Sequence, residues 1–288
     1  MRRKAVLGLF GLLGPAAAAD PVLNAVTLYA SFDQAVQADF GGGRLTAGTR
    51  FNHETDKGRF VFQDGFDGSV FQIARGEGVQ GAALRAADIL PRNGRLYFPA
   101  KGNIAFRKGG WGGTVSFWQK TDPNTMLKTR FCDPVQITEK GANNGGLWVD
   151  FPDSTPRDFR LGAFPAQRPG QPPITESDVG APLVVVKRVG FGVDAWHHVA
   201  FTWNNFDTGR ADAEAALYID GVFQGALKNR EIAMDWDLEK AGIYFAVGYI
   251  GLLDELAVFN RPLSVEEIQR LHRELGLLGG VKKGGRTR

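Results

Sequence analysis

The segment Trp196-His197-His198-Val199-Ala200-Phe201-Thr202-Trp203, followed after a polar loop by Leu217-Tyr218-Ile219-Asp220-Gly221, decides how the rest of the chain is read. In an extended chain successive side chains point to opposite sides. Val199, Phe201 and Trp203 therefore share one face with His197, while Trp196, Ala200 and Thr202 share the other with His198. Asp220-Gly221 lies between the runs Ala216–Ile219 and Val222–Gln224. An Asp-Gly pair in that position tolerates the two positive φ angles of a type I′ turn, so the two runs form a tight hairpin.

The same texture extends outward in both directions. Val26–Phe32, Arg59–Gln63, Arg95–Phe98, Thr114–Trp118, Leu147–Phe151, Val184–Val189, Ile243–Val247 and Leu252–Phe259 are short runs rich in Phe, Val, Tyr and Trp, bounded by Gly, Pro, Asn and Asp. Many strands with turn signals between them predict an all-β antiparallel sandwich. One helix interrupts the pattern near the end. Ser264 and Glu267 form a capping box, Val265, Ile268, Leu271, His272 and Leu275 recur at helical spacing, and Gly276 is its expected stop.

The ends of the chain explain its charge. Arg2, Arg3 and Lys4 precede the apolar run Ala5–Leu13, and Ala17-Ala18-Ala19 offers a small-residue cleavage site. This is the layout of a signal peptide over residues 1–19, too short to span a bilayer, and it predicts a secreted or periplasmic protein with no membrane span in its mature form. Without those three basic residues the 34 Lys plus Arg fall to 31, against 31 Asp plus Glu. Four of the remaining basic residues lie in a Gly-rich tail over 279–288, which is expected to be frayed. The pI near 9.0 thus comes from the termini, and a nucleic-acid partner is excluded.

Between the ends, residues 20–278 read as one sandwich. The lone Cys132 permits no intramolecular disulfide and suits a buried core position. Seven of the fourteen prolines fall between Pro152 and Pro182, a density that predicts a surface excursion over 152–182.

Three groups of residues carry a resemblance. They are Trp196–Trp203 with Leu217–Gly221; Gly251-Leu252-Leu253-Asp254-Glu255-Leu256-Ala257-Val258-Phe259-Asn260 leading into Leu263-Ser264 and Glu266-Glu267-Ile268; and the supporting pieces Ala30–Asp33, Gly78–Arg85 and Thr114–Trp118. Together they resemble the laminin G-like, concanavalin A-like jelly-roll family in its bacterial form. The resemblance is specific in the last 80 residues and loose between 120 and 190. It implies two curved antiparallel sheets packed face to face. Members are often carbohydrate-binding or adhesive modules, some are attached to enzymes, and some hold a structural calcium through acidic side chains of the terminal strands.

Few motifs point to chemistry. Gly76-Glu77-Gly78-Val79-Gln80-Gly81 matches a dinucleotide fingerprint, but no helix follows and no acidic residue lies near position 100, so it reads as a turn. Glu54-Thr55-Asp56 and Glu176-Ser177-Asp178 begin a glycosidase carboxylate pattern whose third member is Arg59 or Ala181 instead of an acid. His197 and His198 face opposite sides and cannot share a ligand.

Asp33 and Asp254 are the candidate calcium ligands. Asp254 shares its expected face with Leu252, Leu256 and Val258, where a bare carboxylate needs a cation, an Arg or backbone N–H groups. Trp111, Trp148 and Trp236 stand apart from the core-like Trp118, Trp196 and Trp203: they either stack on sugar rings or cover seams of the sandwich. Trp148 and Trp236, with Asn144 and Asp237 beside them, are the candidate ligand-binding residues. Three functions remain open: a secreted non-catalytic binding module for carbohydrate or an envelope or matrix component, a glycoside hydrolase or polysaccharide lyase without a recognisable motif, and an adhesive protein–protein module.

Overall fold

In the computed structural model, residues 20–56 and 59–281 are described; the signal peptide expected at 1–19 and the tail beyond Val281 lie outside the described residues. In chain order the strands are β1 (Val26–Ala30), β2 (Phe40–Gly41), β3 (Gly48–Asn52), β4 (Phe60–Asp64), β5 (Phe71–Arg75) and β6 (Ala82–Ala86). There follow β7 (Arg95–Pro99), β8 (Trp111–Lys120), β9 (Cys132–Gly141), β10 (Asn144–Phe151), β11 (Phe159–Phe164) and β12 (Leu183–Val186). The last are β13 (His197–Phe206), β14 (Ala213–Ile219), β15 (Val222–Arg230), β16 (Gly242–Val247) and β17 (Gly251–Phe259). Two short helices flank them: α1 (Pro21–Asn24) and α2 (Val265–Arg273).

The strands form two antiparallel sheets. A nine-stranded sheet runs β15-β14-β13-β8-β17-β1-β2, with β6 also paired to β17 and β5 to β6. An eight-stranded sheet runs β12-β11-β10-β9-β16-β7-β3-β4. Alternation delivers the core between them. Val199, Phe201 and Trp203 of β13 and Val115 and Phe117 of β8 meet Leu147, Val149 and Phe151 of β10 and Ile243 and Phe245 of β16, all essentially inaccessible to solvent. The expected turn is present: Asp220 and Gly221 have φ of +51° and +76°, and Ile219 pairs with Val222.

Helix α2 has the expected capping box, closed by Ser264 and Glu267. It ends at Arg273 with Glu274 as cap, earlier than Gly276. A 3-10 turn, Leu277–Gly280, follows, and Leu278 and Val281 are buried, so the start of the tail is packed instead of frayed. Ile268, Leu271, Leu278 and Val22 of α1 cover Tyr29, Ala200, Ala216, Ala257 and Phe259 on the outer face of the nine-stranded sheet. Asp20 caps α1 by accepting from the Val22 N–H at 2.9 Å and pairs with Arg270 of α2 at 2.7 Å. The ends of the described chain therefore cover this part of the nine-stranded sheet.

The Pro-rich excursion is shorter than the sequence suggests. Phe159–Phe164 is free of proline, alternates Phe159, Leu161 and Ala163 into the core, and forms the fully buried β11. Pro134 likewise conceals β9. It sits where the β9–β10 register shifts between Val149 and Phe151, so its missing N–H falls at an irregularity of the ladder.

Candidate functional site

The open face of the eight-stranded sheet is built by register. Leu147, Val149 and Phe151 point into the core, so Trp148 and Asp150 point outward. Trp148 pairs with Gln136 on β9, Gln136 with Tyr244 on β16, and Tyr244 with Tyr97 on β7. In the next row Asp150 faces Arg160 on β11, and Arg95 on β7 faces Arg50 on β3. Six strands at a spacing of about 4.8 Å make this polar and aromatic strip roughly 24 Å wide.

A cleft of about 360 Å³ opens onto it. Its floor is Arg50, Arg95, Asp133, Gln136, Trp148 and Asp150; Phe131 stands at its rim and Glu176 of the Pro-rich segment contributes to its wall. A second cleft of about 550 Å³, lined by Arg44, Phe62, Tyr97 and Lys101, opens beside it. The boundary between them is a hydrogen bond of 3.0 Å from Arg50 Nη1 to the Tyr244 hydroxyl.

The floor is charged and almost wholly desolvated. Arg160 grips Asp150 with two parallel bonds, Nε to Oδ1 at 2.8 Å and Nη2 to Oδ2 at 2.5 Å. The same guanidinium lies between the rings of Trp148 and Phe131, 5.4 and 5.7 Å from their centroids. Burial raises Asp150 to about 6 despite that pairing. Burial and the neighbouring Asp150 hold Asp133 well above the ordinary carboxylate range. Arg95 donates to Gln136 Oε1 at 2.8 Å, and burial together with Arg50 lowers it to about 10. Arg50 stacks on Phe60 at 3.5 Å. The Nε–H groups of Arg50 and Arg95 are buried and have no hydrogen-bond partner among the described residues.

The residues singled out in the sequence are distributed differently. Trp148 reaches the cleft floor, but it is 1% exposed, covered by Arg160 and stacked on Phe164, with its indole N–H bonded to Ala142 O at 2.9 Å. Trp236 lies in the core against Trp111 and Phe106 and donates to Gly145 O at 2.7 Å. Neither indole offers an open face for stacking, because each is a seam-filling ring whose polar edge is tied to backbone. Asn144 accepts from the Gln167 N–H at 2.9 Å, and Asp237 pairs with Lys240 at 2.9 Å; neither lines the cleft. The exposed aromatics on this face are Phe62 and Phe131.

Asp33 and Asp254 both meet the Gly76–Gly81 turn. Asp254 Oδ2 accepts from the N–H groups of Val79 and Gln80, its Oδ1 accepts from Glu255 N–H, and Asp33 Oδ1 accepts from Ala82 N–H at 3.0 Å. The glycine-rich motif thus cradles carboxylates of this chain. The facing expected for Asp254 is altered by a register shift between Asp254 and Ala257, with Glu255 at φ +53°. Leu253, Leu256 and Val258 enter the core, and Asp254 shares a face with Leu252 alone of the three leucine and valine neighbours expected. Burial and Glu255 push Asp254 up to about 8. Among the described residues, no group of three or more His, Cys, Asp or Glu side chains is placed to hold a metal ion.

His197 and His198 diverge as alternation requires. His197 Nδ1 lies 2.8 Å from Asp220 Oδ2, while His198 Nε2 lies 2.8 Å from Ser116 Oγ and its ring packs on Trp118 and His272 under α2. Cys132 is fully buried, and burial raises its thiol above the usual range.

The two sheets, their antiparallel order and the groove on one outer face define a jelly-roll sandwich of lectin type. The chain belongs to the concanavalin A-like lectin/glucanases superfamily, whose family model matches residues 96–269. Comparison with curated protein sequences finds no match. Among solved structures, the binding domain of Paraclostridial Mosquitocidal Protein 1 is similar at 11% identity and a TM-score of 0.53, over 89% of this chain and 53% of that one. The receptor binding domain of botulinum neurotoxin mosaic serotype C/D is similar at 12% identity and a TM-score of 0.50, over 89% and 52%. Domain 4 of AbnA, an extracellular arabinanase from Geobacillus stearothermophilus solved with arabinotriose, matches at 18% identity and a TM-score of 0.47, over 86% and 100%. This chain spans about half the length of the two toxin domains. No helix among the described residues is long and apolar enough to cross a membrane.

Proposed function

We propose that this chain is a non-catalytic carbohydrate-binding module acting outside the cytoplasm, with its ligand in the cleft on the outer face of the eight-stranded sheet. The observation that supports this is the floor itself: guanidinium, carboxamide and carboxylate groups from four strands converge on one cleft, with Phe131 exposed at its rim. A sugar hydroxyl both donates and accepts, so it pairs with Arg95, Gln136 and Asp133 at once, and Phe131 offers the ring face that a pyranose covers. The family description and the leader-like residues 1–19 agree with an exported lectin-like module. A glycan-array screen of the chain lacking residues 1–19, run with calcium and with chelator, tests it. Binding that is lost on Gln136→Ala supports the reading, and no binding under either condition sinks it. The chelator arm also tests the proposal of a calcium at Asp33 and Asp254.

One observation favours a hydrolase as the second reading. Asp133 and Asp150 are two carboxylates with raised proton affinity in one cleft, the pairing a glycosidase needs. Against it, both oxygens of Asp150 accept from the Arg160 guanidinium, a pairing that would have to break before Asp150 could attack or donate a proton. Release of reducing ends from a bound polysaccharide, abolished by Asp133→Asn, would establish the enzyme reading over the binding one.

A further inference from the structure

Arg50 and Arg95 are directly opposed on neighbouring strands, 3% and 8% exposed. Two like charges brought together out of water repel and lose hydration, an arrangement a protein tolerates only with compensation. The hydrogen-bonded compensation visible is neutral, and the Asp133 carboxyl acts on Arg95 only at longer range, without a direct ion pair. Arg50 has the Tyr244 hydroxyl and the Phe60 ring, and Arg95 has the Gln136 carboxamide. Three neighbouring arginines are ion-paired: Arg160 with Asp150, Arg44 with Asp64, and Arg130 at the rim with Asp153. Arg50 and Arg95 form no ion pair among the described residues, and each keeps a buried Nε–H without an acceptor. Both line the cleft.

We infer that the ligand of this cleft is an acidic sugar, a uronate or a sulfate ester, whose anionic group sits between Arg50 and Arg95. The inference rests on the reading of the cleft as a carbohydrate site and names the class of sugar it takes. A carboxylate or sulfate presents several oxygens in one plane or tripod, which suits two guanidinium forks approaching from adjacent strands. The two missing acceptors and the missing counter-charge are then supplied by one group. Glu176 and Asp133 line the same cleft, where they can accept from ring hydroxyls.

The experiment is affinity electrophoresis of the chain lacking residues 1–19 through gels containing polygalacturonate, the same polymer after carboxyl reduction, a sulfated polysaccharide, or a neutral arabinan. Retardation by the carboxylated polymer at least tenfold stronger than by its reduced form, falling with added salt, is the expected result. Stronger retardation by the sulfated gel assigns the anionic group as a sulfate ester instead. Arg50→Gln and Arg95→Gln are expected to bring the ratio of retardation by the carboxylated polymer to that by its reduced form close to one. Equal retardation by the acidic polymer and its reduced form, a comparison that needs no variant to fold, overturns the inference and leaves the carbohydrate reading standing. Binding to none of the gels overturns both.

Discussion

The indole of Trp148 lies flat on the open sheet face directly above Gly162, its cross-strand partner: a Cβ placed at Gly162 would come within 2.3 Å of Trp148 Cζ2. Tyr97 stands in the same relation to Gly48 at 2.8 Å, and Tyr244 lies over Gly242 of its own strand at 2.9 Å. Glycines next to the three rings let them lie along the sheet, which keeps the floor of the cleft low. Gly162→Ala is expected to destabilise the fold by about 1–3 kcal/mol, the usual cost of overpacking a well-filled site. The indole is held by Ala142 O, so it cannot tilt away freely. Thermal unfolding with the near-ultraviolet signal of Trp148 checks this; an unchanged midpoint would show that the ring does not rest on Gly162.

A second pair of glycines separates backbone strain from contact. Gly76 and Gly81 both have positive φ, +74° and +64°, in the turn that holds Asp33 and Asp254. An added Cβ at Gly76 meets nothing within 4 Å, whereas at Gly81 it lies 2.2 Å from Asp33 Oδ1. Gly76→Ala should cost roughly 1 kcal/mol from conformation alone. Gly81→Ala should cost about 2–4 kcal/mol, because the Asp33 carboxylate must also move and give up the Ala82 N–H. Equal losses in chemical denaturation would refute the role assigned to Asp33.

These two regions also mark what could be read in the sequence. The β14–β15 hairpin and the α2 capping box are local, fixed by residues within a few positions of one another, and both were legible. The cleft was not. Arg50, Arg95, Gln136 and Asp150 come from four strands, and only register makes them neighbours. Each alone resembles an ordinary solvated residue. Polar neighbours in sequence made Trp148 look exposed, but the glycine that lets it lie flat is Gly162, fourteen positions away on another strand. Alternation did place Trp148 and Asp150 on one face. It failed at Asp254, because a bulge resets the period and nothing in the run Leu252–Val258 announces it.

His198 should make stability depend on acid. Burial, with His272 beside it, lowers His198 to about 3 from the ordinary 6.5, and Asp220 offsets this only in part. The folded state therefore binds fewer protons than the unfolded one between those values. Its contribution is full above pH 6.5 and is lost as pH falls towards 3. At pH 5 the loss relative to pH 7 amounts to roughly 2 kcal/mol. Other groups titrate in this range, so the measurement is the difference in unfolding free energy between the protein and His198→Gln at each pH. The difference should shrink by that amount from pH 7 to pH 5; a difference independent of pH would mean that folding leaves the proton affinity of His198 unchanged.

The cleft should respond to pH in the opposite range through Asp133. This carboxyl is faced by Asp150 from β10, Arg95 from β7, Arg160 from β11 and Glu176 from the Pro-rich segment, and burial together with Asp150 raises it. Asp150, raised to about 6, titrates beside it. Below pH 5 Asp150 is largely protonated and Asp133, held above the ordinary carboxylate range, carries less charge than a free carboxylate, so the positive field of Arg50 and Arg95 is less opposed. As pH rises through 6 and beyond, negative charge accumulates a strand or two away from the anionic group of an acidic sugar. Affinity for such a ligand should therefore fall several-fold between pH 5 and pH 8, while affinity for its carboxyl-reduced form changes little. Asp133→Asn removes one of the two titrating groups and should flatten the profile, most clearly at low salt, where a charge at this distance is least screened. Calorimetric titration at the two pH values, with both polymers and both proteins, decides it. A rise in affinity with pH would place the anionic group away from Asp133 and Asp150, and a profile unchanged by Asp133→Asn would assign the titration to Asp150 alone.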